Sequence, residues 1–510
     1  MLQRAARWIQ NNSIPGAGVV LTSRQRACYP EVTGYLIPTL LSVAKPDLAR
    51  AYASWLISVQ RSDGSFGGGH DQRSYAFDTG QVLRGWVAVL PRMPELTAPV
   101  RRACEWLIRS ADAQTGRLVV PPPGADWSLG PRGEVNEAIH LYVLPPLRRA
   151  GEVLNEPRYL EFADRSLRYY LAHATLGEFA QPNALTHFHA YVQEALLDLG
   201  CEAEARAGMA SVARFQRPTG AVPGYHDVPW VCSTGLAQLA LVWYRLGESQ
   251  RAEAALAFLA ALQNQSGGFF GSYGVGASYF PREEISWAAK YAVDACQWRI
   301  SRHFDETVSQ YQPEIAESDG RVLAALQHLG DLNGRRVLDA GCGKGRYSAL
   351  LKRRFPHADV TAMDVSSEML RHVPAGIRTV QHSILNMPFA DGAFDAVLCI
   401  EALEHVVQIE GGVRELTRVL APDGVLVIID KNRDKLGSLP TPDWEKWFGM
   451  QELQALLRAN AVDAGAQPIG YDQHTVPDGL FVCWAGRKAT TPGGARMQGA
   501  LNGHGVSCPA

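Results

Sequence analysis

The chain holds nine cysteines in 510 residues and not one Cys-x-x-Cys pair. That excludes a dense disulfide framework or a structural zinc site and fits a reducing, cytoplasmic setting. Positive charge is not concentrated: there is no long basic run, and the formal net charge is −2. A sequence-independent phosphate-binding surface needs more, so no nucleic acid partner is expected. No apolar run approaches the length of a membrane span, and Met1-Leu-Gln-Arg-Ala-Ala-Arg-Trp8 lacks the continuous apolar stretch of a signal peptide. Asp-Asp-x-x-Asp and Asp-x-Asp-Asp runs, which would ionise an isoprenoid diphosphate, are absent. The length exceeds what one hydrophobic core usually holds, so two or more domains are expected.

Residues 1–300 carry an internal repeat of roughly 50 residues, a period that defines architecture. Gln60-Arg-Ser-Asp-Gly64-Ser-Phe66 returns as Gln216-Arg-Pro-Thr-Gly220-Ala-Val222 and as Gln263-Asn-Gln-Ser-Gly267-Gly-Phe269, with weaker copies at Gly116 and Gly177. Each copy follows a stretch with the apolar spacing of an amphipathic helix, such as Leu48 to Val59. Each is then followed by a more apolar helix, beginning near Glu31, Asp78, Glu134, Thr186, Cys232 and Ile285. Six outer and six inner helices would form an (α/α)6 barrel, the inner ones being apolar on most faces. This pattern resembles the toroid of terpenoid cyclases, protein prenyltransferases, and glycan lyases, hydrolases and epimerases. The prenyltransferase zinc pattern is missing, because Asp227 and Cys232 are five residues apart rather than two. Polar residues gather where the inner helices begin: Tyr29, Glu31, Asp78, His187 and Lys290, with Tyr35, Gln81, Glu134, Asn136, Glu137, His189, Asp227 and Trp230. They suit carbohydrate binding or acid–base chemistry, or else serve as helix caps and satisfied core polars.

The second half turns on Arg335-Arg-Val-Leu-Asp339-Ala-Gly341-Cys-Gly343-Lys-Gly345-Arg-Tyr-Ser348. A short buried strand ends in Asp339, glycines let the backbone turn and approach a ligand, and a helix follows. A second strand ends in Asp364, 25 residues after the first acid, close to the roughly 20 expected for a ribose-binding carboxylate. Nicotinamide loops favour G-x-G-x-x-G, whereas here the spacing is Gly341-x-Gly343-x-Gly345. Downstream come Met387-Pro-Phe-Ala-Asp391-Gly392, Phe394-Asp395-Ala-Val-Leu398, Leu403-Glu404-His405-Val406 and Glu415 to Ile429 with Pro422 and Gly424. In this order the motifs resemble class I S-adenosylmethionine-dependent methyltransferases. The resemblance implies S-adenosyl-L-methionine as cofactor, with Asp339, Gly341 and Gly343 at its amino-acid end, Asp364 on the ribose, and Val365 beside the adenine. Ser383, Ile384 and Leu385 would border the adenine, with Ser383 standing where the family often has aspartate.

Glu401-Ala-Leu-Glu404-His405 also resembles the E-x-x-E-H pattern of ubiquinone-pathway O-methyltransferases and of enzymes that methylate the 3′ ends of small RNAs. The likeness implies a metal set of Glu401, Glu404 and His405 holding Mg²⁺ or another divalent ion. Such an ion would lower the pKa of a coordinated acceptor hydroxyl. The alternative reading is metal-free, with His405 as general base aided by Glu404, or with the acids only capping a helix or lining the cofactor pocket.

The expected fold is thus multidomain: an all-α (α/α)6 toroid over 1–300, a linker over 301–318, an α/β Rossmann-like methyltransferase domain over 319–488, and a disordered tail over 489–510. The expected activity is O-methylation of a saccharide or polyol hydroxyl, the toroid binding or processing the same glycan. Two alternatives stay open: an isoprenoid or aromatic small-molecule acceptor, and a toroid that only docks the enzyme onto a biosynthetic complex.

Overall fold

The computed structural model describes residues 1–490 apart from 26, 68–72, 119–128, 131, 135, 472–475 and 477. The tail expected to be disordered lies, from 491 onward, outside the described residues, as does the Glu134 side chain. The chain divides into two compact units, Met1–Gln310 and the residues from Tyr311 onward. No helix among the described residues is long and apolar enough to cross a membrane, and every described cysteine is a free thiol.

The first unit is helical. Helices α1 (Leu2–Asn11), α3 (Pro46–Val59), α5 (Thr97–Ser110), α7 (Pro157–His173), α9 (Glu202–Ala213) and α11 (Ser249–Leu262) each bury one stripe, as Val100, Ala103, Cys104 and Leu107 do on α5. Their partners α2 (Pro30–Ser42), α4 (Ala76–Val89), α8 (Thr186–Asp198) and α10 (Ser233–Leu246) are buried on nearly every face, as is the first half of α12 (Ser286–Glu306). Helices apolar all round must lie inside a packed unit. The third buried element differs from the sequence expectation. Instead of an α-helix from Glu134, a 3₁₀ segment (Glu137–Val143), capped by the Asn136 side chain, leads into α6 (Leu144–Val153). Pro145 and Pro146 lack the N–H groups that a continuous α-helix would need there, and they are tolerated because they fall in the first turn of α6. Around the unit α2 packs on α4, α4 on α6, the 3₁₀ segment on α8, α8 on α10, α10 on α12, and α12 on α2. Helix α12 continues to Glu306, six residues into the stretch expected as linker.

The repeated glutamine–glycine turns have one job. Gln60 Nε2 donates to the carbonyls of Gly64 and Pro99, each at 3.0 Å. Gln216 does the same to Gly220 and Arg251, and Gln263 to Gly267 and Met1. The side chain thus closes its own turn and ties it to the start of a neighbouring half-buried helix. Gly64, Gly220 and Gly267 all adopt left-handed φ, at 99°, 89° and 96°. A Cβ at these positions would stand 2.3, 2.0 and 2.3 Å from a carbonyl oxygen of Arg102, Ala254 and Arg4. The last copy binds the first helix, so the sequence repeat ends where it began.

The second unit is a seven-stranded mixed sheet with helices α13 (Gly320–Leu329), α14 (Arg346–Arg354), α15 (Ser367–Leu370), α16 (Ile409–Val419) and α17 (Met450–Ala459). Its strands are β1 (Arg336–Ala340), β2 (Asp359–Asp364), β3 (Arg378–Gln381), β4 (Phe394–Ile400), β5 (Leu420–Lys431), β6 (Val462–Pro468) and β7 (Phe481–Lys488). The spatial order is β6-β7-β5-β4-β1-β2-β3, with β7 antiparallel to both neighbours and the other pairs parallel. Val337 to Ala340 and Val397 to Ile400 are continuous buried runs, as expected of central parallel strands covered on both faces. The strand order reverses between β1 and β4. In open α/β sheets this switch point opens a crevice at the carboxyl ends of the strands.

Gly220→Ala should destabilise the helical unit by about 1–3 kcal/mol through overpacking, because its Cβ would meet the Ala254 carbonyl. Chemical denaturation checks this; unchanged stability would mean that the turn can shift without loss.

Candidate active site

The glycine loop leaves β1 at the switch point. The N–H groups of Gly341 and Cys342 both donate to the Met363 carbonyl, at 2.7 and 3.0 Å, which ties the loop to the end of β2. Gly341 has φ 76°, and a Cβ there would come within 2.3 Å of the Ala402 methyl. Gly343, at φ 54°, faces open space, with nothing within 4 Å of where its Cβ would stand. Its N–H donates to Asp364 Oδ2 at 2.8 Å, and Ser366 N–H donates to Asp364 Oδ1 at 2.9 Å. Two backbone donors therefore hold the Asp364 carboxylate at the rim of the crevice. Asp339 turns the other way: one carboxylate oxygen accepts from Ser348 N–H and Oγ, at 3.1 and 2.6 Å, at the start of α14. Burial pushes the Asp339 carboxyl up to about 6, against the pull of those Ser348 hydrogen bonds.

Ser383 Oγ accepts from Leu385 N–H and caps the 3₁₀ turn Ile384–Asn386, in which Ile384 and Leu385 are buried. That turn adjoins the glycine loop, since Ile384 Cδ1 lies 3.6 Å from the place of a Gly341 Cβ. Val365 is half-buried and its carbonyl accepts from Gln381 Nε2. An open glycine cradle, a rim carboxylate and an apolar turn fit a nucleoside with an amino-acid arm.

The second group of predicted residues divides. Glu401 follows β4 in a left-handed conformation, φ 52°, its N–H bonded to the Ile429 carbonyl. Its Oε1 accepts from Arg321 Nη1 at 2.7 Å and from Arg346 Nη2 at 2.6 Å. Glu404 and His405 lie in the following 3₁₀ turn, Leu403–His405. Ligand atoms of Glu404, His405 and Glu445 lie within 4.8 Å of one another. The His405 ring faces both carboxylates, Nε2 at 3.5 Å from Glu404 and Nδ1 at 3.7 Å from Glu445. Lys431, the last residue of β5, binds both acids: Nζ pairs with Glu404 Oε1 and, at 3.0 Å, with Glu445 Oε1. Trp447 Nε1 donates to the same Glu445 oxygen at 2.8 Å.

Glu404 is 1% exposed. Burial pushes its carboxyl up to about 7, Lys431 pulls it back, and Glu445 pushes it further. Asp430, beside Lys431, is fully buried and is raised by burial and then by Glu404. A divalent ion does not fit these residues as they stand. The expected set of Glu401, Glu404 and His405 is not assembled, because Glu401 is committed to two arginines and an ammonium already bridges Glu404 to Glu445. Lys431 and Glu445 escape a motif reading. Lys431 closes the apolar strand Val425–Ile429 and carries a weak signal of its own. Glu445 lies in an irregular loop and carries none.

Residues 338–428 match the family described as a methyltransferase domain. The chain is 34% identical over 153 residues to a fatty-acid O-methyltransferase of Mycolicibacterium smegmatis, an alignment covering 28% of this chain and 54% of that protein. It is 30% identical over 168 residues to a malonyl-[acyl-carrier protein] O-methyltransferase of Pectobacterium atrosepticum, covering 32% and 64%. A demethylmenaquinone methyltransferase of Thermus thermophilus is 37% identical over 103 residues, covering 19% and 47%. The chain thus spans about half to just under two thirds of the length of these relatives. The C-terminal part contains a class I S-adenosylmethionine-dependent methyltransferase domain, and S-adenosyl-L-methionine is its methyl donor.

Asp339 holds its proton more tightly when folded than its ordinary value of 3.8 allows when unfolded. Its burial is therefore destabilising above about pH 6, and the penalty vanishes as pH falls below about 4. Asp339→Asn should gain about 1–3 kcal/mol of stability relative to the parent on going from pH 4 to pH 8. Denaturation at the two pH values reads this difference; a pH-independent difference would show that Asp339 is ionised at no penalty.

Proposed function

We propose that this protein transfers a methyl group from S-adenosyl-L-methionine to a hydroxyl oxygen of a saccharide or polyol. The observation that carries an oxygen acceptor is the buried Glu404–His405–Glu445–Lys431 cluster at the carboxyl ends of β4 and β5. Two of the relatives are named as O-methyltransferases, which points the same way. In this reading Asp339, Gly341 and Gly343 shape the seat for the amino-acid end of the cofactor. Asp364 takes the ribose hydroxyls, and Val365, Ser383, Ile384 and Leu385 border the adenine.

The bound cofactor supplies an electrophilic methyl group; the chain supplies the proton acceptor. An alcohol stays protonated at neutral pH unless a positioned base takes its proton. The hydroxyl proton passes to the Glu404–His405 pair as the oxygen takes the methyl group, and the electron pair of the broken bond stays on sulfur. A base that works near neutrality suits the task.

The saccharide class rests on the helical unit, which we read as an (α/α)6 toroid. The buried helices succeed one another from α2 to α12 and back to α2, and the glutamine–glycine turns close on α1. Of the polar residues expected at its mouth, Tyr29 donates to Asp78 at 3.1 Å, and Glu31 is raised by burial and then by Asp78, with Lys290 opposing. Deeper in, His187 bonds Gln238, Gln238 bonds Glu194, and Lys290 pairs with Asp294 at 2.8 Å. Other candidates point elsewhere: Glu137 pairs with Arg117, Asp227 with Arg132, and His189 bonds the Gly208 carbonyl. Acids, an amine and phenols on facing helices suit a hydroxyl-rich ligand. A second reading, the toroid as a docking module for a biosynthetic complex, is favoured by Tyr35, Tyr142, Tyr191 and Tyr291. These are almost wholly buried and pack against one another.

Two outcomes are expected. Asp364→Ala should weaken S-adenosylhomocysteine binding at least tenfold by calorimetry, the loss of hydrogen bonds to a charged group being worth about 1.5–3 kcal/mol; unchanged affinity would remove Asp364 from the site. With a methyl-labelled donor and mixed oligosaccharide and lipid acceptors, label should enter the oligosaccharides, and Asp78→Asn should raise the acceptor KM with kcat little changed. Label confined to the lipids would sink the saccharide reading.

A further inference from the structure

The acids Glu404 and Glu445 are almost withdrawn from water, their side chains 1% and 3% exposed. Two buried carboxylates with oxygens converging on one point need a cation there, because isolated buried charge costs several kcal/mol per ion. In a metal enzyme that cation is a divalent ion. Here the point is taken by Lys431 Nζ, which binds one oxygen of each acid.

The clamp is built from several sides. The Lys431 N–H lies 3.4 Å from the second Glu404 oxygen, and the Trp447 ring centre lies 5.9 Å from Nζ. Trp447 Nε1 holds Glu445, and Lys446 N–H donates to the Glu404 carbonyl at 2.8 Å. The loop carrying Glu445, Lys446 and Trp447 is thus fastened to the 3₁₀ turn that carries Glu404 and His405.

We infer that Lys431 is a built-in cation occupying the place of a divalent metal, so that this protein works without a metal and holds a latent metal site made of Glu404, His405 and Glu445. The inference deepens the proposed reading of the cluster as the acceptor-activating group. It also narrows the acceptor. A divalent ion with open positions can hold two adjacent hydroxyls of a diol. An ammonium has three donors, and Lys431 uses two of them on Glu404 and Glu445, which leaves one for a single acceptor oxygen. The acceptor is therefore recognised through one hydroxyl and needs no vicinal diol. Lys431 also fixes the two acids that face the His405 ring.

The test uses the full chain and Mn²⁺ as probe. By electron paramagnetic resonance and calorimetry the parent protein should bind no Mn²⁺ at 100 μM, a concentration on the order of a moderate site's affinity. Lys431→Ala should bind one Mn²⁺ per chain at least tenfold more tightly than the parent, and Lys431→Ala with Glu445→Gln should lose it again. Lys431→Arg keeps the positive charge and should bind none. S-adenosylhomocysteine affinity, measured on the same samples, reports whether each variant is folded and whether the methyltransferase reading holds, independently of the Mn²⁺ result. Methyl transfer to the acceptor mixture should be unchanged in EDTA. The inference fails if the parent binds stoichiometric Mn²⁺ that Glu404→Gln abolishes, or if folded Lys431→Ala binds no more than the parent. Should Lys431→Ala not fold, the parent and Lys431→Arg measurements still decide, because Mn²⁺ bound by either at this cluster overturns it.

Discussion

Lys431 stands between the buried acids Glu404 and Glu445 and offsets the cost of burying them. Burial alone drives a carboxyl toward its neutral form, and Glu404, pushed up to about 7, shows how nearly the balance is struck. Much of the region around the ends of β4 and β5 hangs on this clamp. It joins the end of β5 to the turn after β4 and fastens the loop around Trp447 to both. Breaking one member would leave another buried and unpaired, a defect that usually costs more than the pair contributes.

Around the glycine loop, order comes from backbone N–H groups. Met363 gathers two of them from the glycine loop, and Asp364 gathers one from Gly343 and one from Ser366. The loop is preorganised by the strand beside it, and Gly343 faces open space. Preorganised donors lose little freedom on binding, so a short loop of small residues can hold a large polar molecule.

The helical unit solves a different problem: how to end a repeat. A repeat whose units contact only their neighbours exposes an apolar face at each end. Here the last glutamine–glycine turn binds Met1 and Arg4 at the start of the first helix, and α12 packs on α2. Neither terminal copy is left uncovered. Polar residues inside the unit pair with one another and with backbone groups, as His187 does with Gln238 and His189 with the Gly208 carbonyl.

Much of this was legible in order along the chain. The glutamine–glycine repeat announced its turns because only glycine accepts left-handed φ against a facing carbonyl. The strand–glycine loop–helix and the later acid at a strand end were legible because those spacings follow from the pitch of one strand and one helix. The E-x-x-E-H motif keeps Glu404 and His405 together but not Glu401, for an equally local reason. Spacing of three places two acids on one face only of a regular helix, and Glu401 stands before a single 3₁₀ turn with its backbone left-handed. Its side chain therefore reaches Arg321 and Arg346. Lys431 and Glu445 could not be read as partners of Glu404, since they lie 27 and 41 residues further on. Sequence by itself determined the periodic and contiguous features, which depend on neighbours along the chain. Which charges meet in the buried cluster was decided by tertiary structure, because only the folded sheet brings the ends of β4 and β5 and the loop beyond them to one point out of water.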